Sequence, residues 1–163
     1  MMLGLSLHAV TVLHVVISLV GIVSGLVVLF GLFKSQSMPG MTALFLVTTI
    51  LTNATGFMFP FEKLLPSHII AILSLVLLAI ACYALYSAKL SGAWRAIYVI
   101  TAVASLYFNV FVLVIQSFLK IEPLHELAPG VPPSGLTFAV VQGIVLVLFV
   151  LAGIKAVRRF HPA

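Results

Sequence analysis

Five long apolar segments, at about residues 13–33, 41–61, 68–88, 93–119 and 136–156, dominate this chain of 163 residues. A helix rises ~1.5 Å per residue, so about twenty apolar residues cover the roughly 30 Å of hydrocarbon in a bilayer. Each segment meets that length. The runs lack the apolar/polar alternation of barrel strands and are too long for them. Hydrophobic side chains make up 63% of the chain and charged ones 7%, against about 25% charged in a soluble domain. A chain this short cannot hide so much apolar surface from water in one core. Lipid is the solvent the sequence calls for. Disorder, a disulfide scaffold and a cytosolic enzyme domain are all excluded, and the single cysteine, Cys82, leaves no internal disulfide. The expected fold is all-α: one integral membrane bundle of five transmembrane helices occupying residues 1–163.

The breaks between segments are chemical. Ser35, Gln36, Ser37, Pro39 and Gly40 make the first turn, and Pro60, Glu62, Lys63, Pro66 and Ser67 the second. Lys89, Ser91 and Gly92 make the third. The connection at 120–134 holds Pro123, Pro129, Gly130, Pro132 and Pro133 and is expected to be too proline-rich for a helix. The first segment has no Lys or Arg ahead of it and is about twice the length of a signal-peptide core, so it is expected to stay in the mature protein.

Charge placement gives an expected orientation. With the N-terminus outside and the C-terminus cytoplasmic, the inner side holds Lys34, Lys89, Arg95, Lys155, Arg158 and Arg159. The outer side keeps Lys63 and Lys120 with all three acids, Glu62, Glu122 and Glu126. This is the positive-inside pattern, and a bacterial inner membrane is the expected setting. The net charge of +5 reads as an orientation signal and an anchor to anionic lipid, and no nucleic-acid partner is expected.

In lipid, polar side chains turn toward the bundle, so their spacing marks the buried face of each helix. Thr11, His14, Ser18, Gly21 and Gly25 form one stripe on the first helix, its inner half a small-residue seam. Thr49, Thr52, Asn53 and Gly56 form another on the second helix, and Tyr98, Thr101, Ser105, Asn109 and Gln116 a third on the fourth. Measured by helix rise from the inner boundary, Asn53, Asn109 and Gln142 fall at nearly one depth, about 18–21 Å in. His14 and His68 fall at the outer boundary, with Glu62 and Gln116 near them. The expected site is a pocket open to the outer side, its rim His14, His68, Glu62 and Gln116 and its floor Asn53, Asn109 and Gln142.

Imidazole is the commonest metal ligand and a natural axial ligand for haem iron, and amides orient carbonyls. His14 and His68 are therefore the candidate metal ligands, and haem, a divalent metal ion or a quinone-like headgroup the candidate ligands. No acid or base lies deep in a span, which disfavours a proton relay or a carboxylate-coupled transporter. Cys82 is about 20 Å from His68 by helix rise, too far to serve as its nucleophile. The first expectation is thus a ligand-binding membrane protein, with enzymatic turnover left open. A non-catalytic subunit or assembly factor partnered with other membrane subunits is the second, and a small oligomeric transporter or channel the third.

Overall fold

The computed structural model describes residues 6–57, 66–130, 133 and 135–162, and over these the chain is helical with no strand. The elements are α1 (Leu7–Phe33), α2 (Pro39–Gly56), α3 (Pro66–Cys82), α4 (Trp94–Lys120), α5 (Glu122–Leu127) and α6 (Leu136–Arg159). Four helical stretches, His8–Phe33, His68–Ser87, Trp94–Lys120 and Leu136–Arg159, are long and apolar enough to cross a membrane. α2 is shorter, at 18 residues, and carries Thr42, Thr48, Thr49, Thr52, Asn53 and Thr55.

Helix ends follow local chemistry more than hydropathy. α1 starts six residues before the apolar run at 13, because the Ser6 hydroxyl accepts from Ala9 N–H at 3.1 Å and caps the helix. Pro39 opens α2 in its first turn, where the missing N–H costs nothing. α3 runs on into a π-helical turn, Tyr83–Ser87, closed by Ala88 N–H on the Tyr83 carbonyl at 2.8 Å. α6 continues three residues past 156, with Arg158 and Arg159 in its last turn, where cations suit exposed carbonyls.

The connection at 120–134 departs from expectation, since it contains the six-residue helix α5. Pro123 stands in the first turn of that helix, a place that tolerates proline, so the proline count of the segment was misleading. His125 in α5 donates from Nδ1 to the Phe118 carbonyl at 3.2 Å and ties the short helix back to α4.

α4 is the hub and touches α1, α2, α3, α5 and α6; α2 lies between α1 and α3. The contiguous core occupies one half of the bundle: Val28 and Leu32 of α1, Phe45 and Leu46 of α2, Leu78 of α3 and Leu106 of α4 are all nearly inaccessible. Most of α6 faces outward, with Val147, Leu148, Val150 and Leu151 exposed, as a lipid-facing helix requires.

Arg95, in the first turn of α4, and Lys155, near the end of α6, lie at that same end. Arg95 at the start of α4 donates to the Val157 and Phe160 carbonyls at 2.7 and 2.8 Å. Lys155 holds its ammonium 4.6 Å above the Phe33 ring. Ser35, in the left-handed region at φ 55°, accepts from His161 N–H at 2.8 Å. Glycine is the usual occupant of such a helix-ending position, and serine here trades some backbone strain for a hold on the C-terminal tail. Ser35→Gly is expected to leave thermal stability within about 1 kcal/mol of wild type while raising hydrogen exchange at the His161 amide.

Candidate functional site

At the opposite end of the bundle, two histidines from different helices each contact the end of α2. His14 on α1 lies half-buried, its Nδ1 2.8 Å from Thr55 Oγ1 on α2. The single proton of Thr55 goes to the Leu51 carbonyl at 2.7 Å, so the hydroxyl accepts and His14 Nδ1–H donates. In the neutral ring that places the basic nitrogen at Nε2. His68 on α3 is 6% exposed, and its ring lies against Phe57 at a centroid distance of 5.7 Å, tilted by 33°. Both imidazoles therefore contact the last turn of α2, at Thr55 and Phe57. Gly56 stands between these two, and a Cβ there would make an ordinary contact with His14 Cε1, at 3.7 Å.

The rest of the expected rim is divided. Gln116 lies half-buried on α4, two turns beyond Asn109. Glu62 lies outside the described residues, as do positions 58–61 of the expected second segment. His8 and His161 are exposed. Among the described residues no group of three or more His, Cys, Asp or Glu comes together in a way that could hold a metal ion.

Two of the three amides bridge helices, each a different pair. Asn53 donates from Nδ2 to its own helix at Thr49 O (2.9 Å) and across to Ser74 Oγ on α3 (3.1 Å). Gln142 on α6 donates to the Phe111 carbonyl on α4 at 3.2 Å. Asn109 turns toward α1, its Nδ2 3.4 Å from where a Gly21 Cβ would stand, with Thr48 and Thr49 Oγ1 each 3.2 Å from that same point. Their hydrogen bonds thus hold α2 to α3 and α6 to α4.

Three buried polar atoms, Thr49 Oγ1, Asn109 Nδ2 and Gln142 Oε1, have no hydrogen-bond partner among the described residues. A buried unpaired donor costs free energy that a well-packed apolar side chain does not. Asn109→Leu is accordingly expected to leave the melting temperature unchanged or raise it. Asn53→Leu, which breaks a made interhelical bond, is expected to cost about 1–2 kcal/mol. Thermal unfolding of the two variants in detergent checks both signs.

Thr55, Phe57 and Ser74 are contact residues that the polar stripes did not single out. The signal for Thr55 was present: Thr48, Thr52 and Thr55 stand at helical spacings of four and three, a face of α2 adjacent to the one carrying Asn53. Phe57 carried none, because a phenylalanine in an apolar run is indistinguishable from its neighbours. Comparison with known proteins gives no matching family model, no matching curated protein and no matching solved structure.

Proposed function

We propose that this is a five-span protein of a bacterial inner membrane that holds a metal-bearing ligand, a haem or a divalent ion, at its outer end. On this reading α2 is the fifth span, the N-terminus is outside, and the basic end of the bundle faces the cytoplasm. The observation that supports the site is that His14 and His68, from α1 and α3, each contact the end of α2, at Thr55 and Phe57. The hydrogen bond from His14 Nδ1 to Thr55 supports it further. Histidines that ligate a metal commonly give their other ring proton to a neighbouring acceptor, which fixes the ring and makes the ligating nitrogen more basic. A quinone-like headgroup suits the arrangement less, because its carbonyl oxygen asks for a donor and His14 Nε2 is an acceptor.

The test is an optical spectrum and elemental analysis of the purified protein, followed by titration with haemin and, separately, with Zn²⁺. Bound haem or metal near one equivalent is expected. His14→Ala and His68→Ala are each expected to remove retention while the protein still folds. Thr55→Val keeps both rings and is expected to weaken binding by about 10–100-fold. Silent histidine variants, or a wild-type protein that takes up neither haemin nor Zn²⁺, would overturn the site.

A further inference from the structure

α4 and α6 touch at two levels and leave a furrow beside those contacts. One contact sets Gly153 against Val103, where a Cβ on the glycine would lie at an ordinary contact distance of 3.7 Å from Val103 Cγ1. The other is the ring contact of Tyr107 with Phe149, centroids 5.6 Å apart. The furrow has a volume of about 440 Å³, and apart from Tyr107 and Arg158 its lining is apolar. Along α6 that lining extends from Leu146 to Arg158, ~18 Å by helix rise. Half the hydrocarbon thickness of a bilayer is ~15 Å, so the groove matches the depth of one leaflet.

One end of the groove is charged. Arg158 is exposed there, at the end of the bundle that also carries Arg95 and Lys155. Those two are committed elsewhere, Arg95 to the carbonyls of Val157 and Phe160 and Lys155 to the Phe33 ring. Arg158 is the cation the groove presents. An apolar channel one leaflet deep with a guanidinium at its headgroup end has the polarity of a single phospholipid: acyl chain along the groove, phosphate on the fork of the arginine.

We propose that the α4–α6 groove binds one anionic phospholipid of the leaflet at the basic end, its phosphate paired with Arg158. A zwitterionic lipid carries its own cation beside the phosphate and gains less from the guanidinium. The site lies at the other end of the bundle from the histidines and is independent of them.

The full chain, delipidated in detergent, is offered phosphatidylglycerol or phosphatidylcholine of identical acyl chains, and retained lipid is counted by native mass spectrometry. One retained phosphatidylglycerol is expected, with a preference over phosphatidylcholine that drops about tenfold in Arg158→Gln. Arg159→Gln removes the same charge one residue away and is expected to keep the preference. Val150→Trp places a ring in the groove at an exposed position and is expected to reduce retention of both lipids. Equal losses in the two arginine variants would reduce the effect to general surface charge and overturn the site. Wild-type retention in Val150→Trp would also overturn it, and so would a lipid-free dimer that this substitution breaks. If Val150→Trp does not fold, the comparison of the two arginine variants decides by itself.

Discussion

Gly25→Leu is expected to yield no folded protein, the most severe outcome of any single substitution considered. A Cβ at this position would sit 2.6 Å from Leu106 Cδ1 and 2.9 Å from two carbons of the Phe45 ring. Both neighbours are 1% exposed and belong to different helices, α4 and α2. Neither side chain can move without displacing a third, because the surrounding core is packed like a crystal. Even Gly25→Ala is expected to cost about 1–3 kcal/mol, the range for an added methyl in a filled core. The leucine adds three more carbons at the point where α1 meets α2 and α4. Size-exclusion chromatography and thermal unfolding after detergent extraction check the pair. A monodisperse Gly25→Leu protein with a wild-type melting temperature would show that the seam is looser than these distances imply. Gly21→Leu is expected to fail for the same reason less completely, since its nearest neighbours are hydroxyls at 3.2 Å.

Arg95→Met is the second large expected effect. One guanidinium nitrogen donates to two carbonyls near the end of α6, and Phe160, 3% exposed, packs against Tyr98 with ring centroids 6.2 Å apart. Methionine keeps the apolar stem and removes both charge-assisted bonds. A loss of about 2–3 kcal/mol follows, together with release of the Phe160 ring from the core. Limited trypsin digestion at Arg158 and Arg159 should quicken well before global melting. Arg95→Lys is expected to recover only part of the loss, because the lysine side chain is one atom shorter than the path to Nη1, the nitrogen that reaches both carbonyls. Unchanged cleavage in Arg95→Met would show that the tail is held by Phe160 alone.

The helices were legible in the sequence because lipid imposes a length, and the ends of α4 and the start of α6 fell within a residue of the apolar runs. What hydropathy could not show was chemistry at the boundaries. The capped start of α1 depends on one hydroxyl, Ser6, and α5 on proline standing where a helix begins. The wiring of the polar side chains was not legible. His14 and His68 were placed at one depth by counting residues, and the structure sets both on the end of α2. Asn53, Asn109 and Gln142 were also placed at one depth by counting, but depth along the membrane normal says nothing about azimuth. Which partner each amide finds depends on helix rotation and on neighbours such as Ser74 and Gly21, which become neighbours only after packing.

The hydroxyls of α2 bear on how the molecule assembles. Thr48 donates to Leu44 O at 2.6 Å, Thr52 to Thr48 O at 2.7 Å and Thr55 to Leu51 O at 2.7 Å. Each of these three is satisfied inside its own helix before any neighbour arrives, whereas the buried Thr49 Oγ1 finds no partner among the described residues. The bonds from Asn53 to Ser74 and from His14 to Thr55 are different, for they exist only once α3 and α1 have docked. The histidine end of the bundle, which lies outside the contiguous core around Phe45 and Leu106, is therefore expected to open on warming before that core does, as hydrogen exchange would show.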